Sequence, residues 1–131
     1  MSERRSTRQQ RAIRDALLDA GRPLSVEEIF QIAKRDVPRL GLRTVYRVVR
    51  RMEEEGGVSA VPVAGQTNRY EPAEVAARHH HHFYCESCDR LFDIDGCAEN
   101  LRRLLPRGFR LRSHELTLTG ECRECATSHT R

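Results

Sequence analysis

The residues able to do chemistry in this 131-residue chain are its five cysteines and six histidines, and all of them lie in the second half. Four cysteines form two pairs, Cys85-x-x-Cys88 and Cys122-x-x-Cys125, with 33 residues between the pairs. Two residues between sulfurs let a tight turn present both to one ion, so the two pairs can make a tetrahedral thiolate cage. Four soft anionic donors favour zinc. Residues 79–131 are too few to build a large apolar core, which gives a metal staple a structural purpose. A closed cage leaves no open coordination position, so the expectation is a structural zinc and not a catalytic one. The competing readings are a dithiol redox pair or two unrelated motifs.

The run His79-His-His-His82 leads directly into Phe83-Tyr84-Cys85. On a strand successive side chains alternate faces. His79 and His81 then point one way, His80 and His82 the other. Two imidazoles make a weak site, so each face needs further donors. Glu71 (or Glu74) and Asp93 are available to one face; His114 and Cys97 are available to the other. The run is also compatible with a solvated polar edge strand. Neutral imidazole ligates zinc, iron, nickel or manganese, and carboxylates shift the balance toward harder ions.

The elements that must position these residues follow from periodicity. Ile13, Ala16, Leu17 and Ala20 recur at helical spacing, predicting a helix over 8–20 that ends at Gly21. Ser25-Val-Glu-Glu28 is a capping box opening a second helix over 26–35, with Val26, Ile29, Phe30 and Ala33 inward. A third helix over 42–55 buries Val45, Val48, Val49 and Met52 and turns Arg43, Thr44, Arg47, Arg50 and Arg51 largely to its other sides. Val58–Val63 and Arg69–Glu71 read as a hairpin. Three helices and a hairpin is the order of a winged helix, whose third helix enters the DNA major groove. Residues 72–78 read as a linker. Beyond them the pattern predicts strands over 79–85 and 90–94. A short helix follows over 98–105 with Leu101, Leu104 and Leu105 inward, then a long strand over 109–118 bent near Ser113-His114. The tail 126–131 reads as disordered.

Charge is divided along the same boundary. Residues 1–57 hold 13 Lys and Arg against 9 Asp and Glu, whereas residues 58–131 hold 10 of each. The whole positive excess therefore sits in the first half, which points to an anionic partner, most commonly nucleic acid. No stretch approaches the ~20 apolar residues of a membrane span, and the opening MSERRSTRQQR has no apolar signal core. The expectation is a cytoplasmic protein with no membrane partner.

Together these segments resemble the ferric uptake regulator (Fur) superfamily over about residues 6–126. The resemblance is carried by Thr7-x-Gln9-x-Arg11, Leu24-Ser-x-Glu-Glu-Ile29 and Gly41-Leu-Arg-Thr-Val-Tyr-Arg47. HHHHFYCESC from His79 and His114…Gly120-x-Cys-x-x-Cys125 complete it. It implies an α+β architecture: a winged-helix DNA-binding domain over 1–71, a hinge over 72–78, and a small α/β metal-binding dimerisation domain over 79–131. It implies a metal-responsive transcriptional repressor, not an enzyme, that binds double-stranded promoter DNA as a homodimer. Position by position, Cys85, Cys88, Cys122 and Cys125 match the structural zinc site. Glu71, His80, His82 and Asp93 match a hinge-side regulatory site, and His79, His81 and His114 match a second site. Tyr46 matches a base-contacting position. Arg11, Arg43, Thr44, Arg47 and Arg50 are the further DNA candidates.

Three positions depart from the family pattern. Pro23 stands where iron- and peroxide-sensing branches often place a His, the hinge region 58–78 has no Cys, and Cys97 falls where a Glu is usual, with Glu99 close by. A thiolate at the second site favours zinc, so zinc is placed slightly ahead of iron or manganese as the signal. The alternatives are an iron-, manganese- or peroxide-responsive regulator and, remotely, a zinc-dependent hydrolase. No H-E-x-x-H motif supports the last of these.

Overall fold

The computed structural model describes residues 2–97 and 100–128, with side chains from 7 to 97 and from 100 to 127. The chain divides into two units, 1–78 and 79–131.

The first unit is a winged helix. Helix α1 (Ser2–Ala20) is followed by α2 (Val26–Ala33) and α3 (Leu42–Glu54). The capping box forms: Glu28 N donates to Ser25 Oγ at 3.1 Å, and Ser25 N donates to Glu28 Oε1 at 3.0 Å. This satisfies two amides that a helix start leaves without partners. Ile13, Leu17, Leu24, Ile29, Val45 and Val49 form the core where the three helices meet. Phe30 and Met52, expected inside, are partly buried and pack against that core. Strands β1 (Val58–Val61) and β2 (Arg69–Pro72) pair antiparallel, with Ser59 opposite Glu71. Leu24 adds a bridge to Tyr70, each amide donating to the other's carbonyl at 2.9 and 2.7 Å. That bridge ties the entry of α2 to the wing. Residues 72–78, read from sequence as a linker, contain the end of β2 and a single helical turn, α4 (Ala73–Ala76), anchored by Ala73 N on Gly57 O at 3.0 Å.

The second unit is a three-stranded sheet in the order β4-β3-β5. Strand β3 (His81–Cys85) pairs antiparallel with β4 (Leu91–Ile94) and parallel with β5 (Thr117–Gly120). Helix α5 (Arg123–Ser128) follows. Three expectations are corrected. The helix expected over 98–105 is a single 3-10 turn, Leu101–Leu104, with Leu104 78% exposed instead of inward; Ala98 and Glu99 lie outside the described residues. The long strand expected over 109–118 is regular only at Thr117–Gly120, because a strand needs a neighbour for its amides and carbonyls and β3 offers one only there. The tail is helical to Ser128 because Ala126 N bonds Cys122 O at 2.8 Å and the second cysteine pair opens the helix; residues 129–131 lie outside the described residues. Among the described residues of this unit only His81, Cys85 and Leu91 are buried. Among the described residues no helix is long and apolar enough to cross a membrane.

Candidate metal centres and nucleic-acid face

The four cysteines come together at one end of the sheet. Cys85 ends β3 and is held by Cys85 N on Arg90 O and Asp89 N on Cys85 O, both 2.9 Å. The turn closes through Asp89 at φ 64°, a left-handed position that Asp tolerates, and the Tyr84 hydroxyl bonds its carboxylate. Cys122 and Cys125 arrive from the end of β5 and the start of α5. Cys88 Sγ lies 3.9 Å from Cys122 Sγ, and all four sulfurs lie within 4.8 Å of one another. Sulfurs held at about 2.3 Å in a tetrahedron are about 3.8 Å apart, so the residues fit a thiolate-bound zinc. Gly120 gives the approach its room: a Cβ there would lie 3.2 Å from Phe83 Cζ.

The electrostatics fit the same chemistry. Burial pushes the Cys85 thiol up, but amide donors from Cys122 (3.3 Å) and Cys88 (3.5 Å) outweigh it and bring it down to about 6. Burial and the neighbouring sulfurs push Cys125 up, and burial raises Cys88. The backbone stabilises the Cys85 thiolate, whereas Cys88 and Cys125 are raised and a bound cation would favour their loss of protons.

Along β3 the histidines alternate as their spacing predicts. His80 and His82 share one side, with ring centroids 4.8 Å apart. Asp93, opposite His82 in the β3–β4 register, places Oδ1 3.3 Å from His80 Nε2 and 3.4 Å from His82 Nε2. Glu71, the fourth residue expected at this site, belongs to the first unit, where it is buried on β2 at 3% exposure. Glu74, the other candidate, is exposed on α4.

On the other side three imidazoles converge on one sulfur. Cys97 Sγ lies 2.9 Å from His114 Nε2, 3.3 Å from His79 Nε2 and 3.5 Å from His81 Nε2. Burial, with the neighbouring His79 and His114 rings, lowers the pKa of His81. The Leu116 amide donates to His81 Nδ1 at 3.3 Å.

In the first unit α3 carries two interleaved faces. Val45, Val48, Val49 and Met52 sit at i, i+3, i+4, i+7 and pack inward. Arg43, Tyr46, Arg47 and Arg50 repeat that spacing two residues out of phase, which is about 200° around the helix, and all four are exposed. Thr44 is half-buried between the faces, and Arg11 is exposed on α1. No acidic residue occupies the first turn of α3.

Sequence reasoning missed two links. The Tyr46 hydroxyl donates to Glu27 Oε1 at 2.8 Å, and this bond raises the phenol above its ordinary range. Arg69, 2% exposed, reaches Glu28 Oε1 at 3.3 Å, and Arg22 reaches Glu28 Oε2 at 2.7 Å. The alternation of β2 was the available signal, since Arg69 shares the phase of the buried Glu71.

Residues 2–119 match the ferric uptake regulator family. The chain is 30% identical over 106 residues to the ferric uptake regulation protein of Bacillus subtilis, covering 78% of this chain and 71% of the relative. It is 34% identical over 104 residues to the protein of the same name from Cupriavidus metallidurans, covering 77% and 71%. Its structure is similar to that of a zinc-bound manganese uptake regulator, with TM-score 0.74, 27% identity and 87% of each chain covered. With a winged helix in one unit and three His, Cys and Asp clusters in the other, the chain belongs to the ferric uptake regulator family of metal-dependent, DNA-binding transcriptional regulators.

Proposed function

We propose that the protein is a dimeric repressor whose grip on promoter DNA is set by a divalent metal at Glu71, His80, His82 and Asp93. The observation that carries this reading is the convergence of His80, His82 and Asp93 at the start of the second unit. Two neutral imidazoles and a carboxylate form an incomplete divalent site that a further carboxylate completes. Glu71 is nine residues before His80 and sits on the wing of the DNA-binding unit. When bound, the ion supplies the positive charge that lets two carboxylates and two imidazoles share one point.

The chain's own residues do the rest. Asp93 holds both rings in register through the β3–β4 pairing. Glu71 carries the pull to the hairpin next to α3. Arg43, Arg47 and Arg50, with Arg11 and Thr44, meet phosphates and guanine edges, and the Tyr46 ring packs on a thymine methyl. Cys85, Cys88, Cys122 and Cys125 hold the structural zinc; His79, His81, Cys97 and His114 form the second site. The second copy covers the apolar side chains that the second unit leaves outside, Leu104, Phe109 (66% exposed) and Leu118 (53% exposed).

The sequence argument for zinc as the signal rests on Cys97, which lies with His79, His81 and His114 rather than with Asp93. The Glu71, His80, His82, Asp93 set accommodates zinc, iron(II) and manganese, and these are the candidate signals.

The test is promoter-DNA affinity of protein that retains its structural zinc, with zinc, iron(II), manganese or nickel added at buffered free concentrations. One metal is expected to tighten binding tenfold or more, about 1.4 kcal/mol of coupling. His80→Ala is expected to abolish that response. Equal affinity of His80→Ala and the unaltered protein at saturating metal overturns the assignment.

A further inference from the structure

Residues 95–116 cross from β4 to β5, and the described residues among them form one 3-10 turn and no strand, and none of them is buried. Its described backbone meets the sheet at Leu116, where His82 N donates to Leu116 O at 3.2 Å. Yet Cys97 and His114, at its two ends, meet each other and the two rings at the start of β3. We infer that Cys97 gives the second site a thiolate, so that one sulfur and three imidazole nitrogens take zinc and staple residues 95–116 to β3. The inference rests on reading His79, His81, Cys97 and His114 as a metal site, and it deepens that reading by giving Cys97 its thiolate form and the bound zinc its task.

The geometry supports each part. Zinc at about 2.3 Å from sulfur and 2.0–2.1 Å from nitrogen sets S···N edges of about 3.5 Å in a tetrahedron. His81 and His79 stand at 3.5 and 3.3 Å, and His114, at 2.9 Å, has only to move outward slightly. Ligation through Nε2 puts the His81 ring proton on Nδ1, so the long Leu116 contact opens as the site fills. The Cys97 thiol proton goes to solvent.

The two faces of one strand then carry different chemistry: a thiolate with three imidazoles on one side, a carboxylate with two imidazoles on the other. Manganese and magnesium prefer oxygen donors, whereas zinc tolerates sulfur and nitrogen in a closed tetrahedron. One thiolate with three imidazoles in a closed tetrahedron suits a tightly held, resident zinc.

The experiment uses the full chain, stripped by a mild chelator until one zinc per chain remains on the four cysteines. Cobalt(II) is then added and followed by absorption. The expected result is a near-ultraviolet thiolate-to-cobalt charge-transfer band, displaced by zinc and lost in Cys97→Ser. Zinc affinity at that site should fall tenfold or more in Cys97→Ser, with the cysteine-bound zinc retained. Hydrogen exchange across 95–115 should slow with zinc in the unaltered protein and not in the variant. If cobalt binds without that band, and Glu99→Gln weakens it where Cys97→Ser does not, the donor is a carboxylate and the thiolate inference is overturned while the metal site stands. If the unaltered protein takes up no cobalt with His79, His81 and His114 intact, the metal-site reading itself falls.

Discussion

Tyr46 shows how one hydrogen bond shapes the surface proposed to face DNA. Its hydroxyl is occupied by Glu27 at 2.8 Å, so the proton is unavailable to a phosphate and the ring is held against α2. In the proposed contact, what remains for DNA is the ring face and edge, suited to a thymine methyl and not to the backbone. Glu27→Ala frees the ring, and Glu27→Gln keeps an acceptor in place while removing the charge. The expected outcome is that Glu27→Ala lowers the ratio of promoter to scrambled-DNA affinity by roughly the ~1–3 kcal/mol of one lost base contact. Glu27→Gln should preserve the ratio while raising both affinities, because a carboxylate near phosphates is gone. Anisotropy competition at fixed salt measures both; identical ratios in the two variants refute the positioning role.

At the scale of elements, the capping box and the wing are joined by Glu28. Its carboxylate takes the Ser25 amide, Arg22 and the buried Arg69. Glu28→Ala therefore removes a cap and a partner of a buried guanidinium together. A loss of about 2–3 kcal/mol is expected, against about 1 for Ser25→Ala and under about 1 for Arg22→Ala. Urea unfolding followed by helical circular dichroism reads this unit, which holds the three long helices; the order Glu28, Ser25, Arg22 is the checkable content.

These helices were legible in the sequence because their signals are local: a capping box, a terminal Gly and apolar residues at 3.6-residue spacing. The His79–His82 alternation was legible for the same reason, since a strand's period of two sorts rings onto faces without knowledge of the rest of the fold. The stretch 98–118 was not. Periodicity shows that a segment has an apolar face but not what covers it, and Leu104 and Phe109 point away from their own unit's core. Arg69 was equally hidden, because its buried guanidinium meets a carboxylate 41 residues away in sequence.

At the scale of the whole molecule, the two units are stabilised by different physics. The first buries a core of apolar side chains running from Ala12 to Val58. The second buries three described residues, and two of them, His81 and Cys85, belong to candidate metal sites. A unit with so little apolar interior is expected to draw much of its folding free energy from the zinc proposed for the four cysteines, on the order of 10 kcal/mol. Removal of all metal by a strong chelator is therefore expected to unfold residues 79–131 and leave residues 1–78 folded. Hydrogen exchange should show β3, β4 and β5 losing protection while α1, α2 and α3 keep theirs, and one equivalent of zinc should restore the sheet. Cys122→Ser should reproduce the chelated state at ambient zinc. A single cooperative loss of protection across both units would show that the first unit depends on the second, and that its core does not hold it alone.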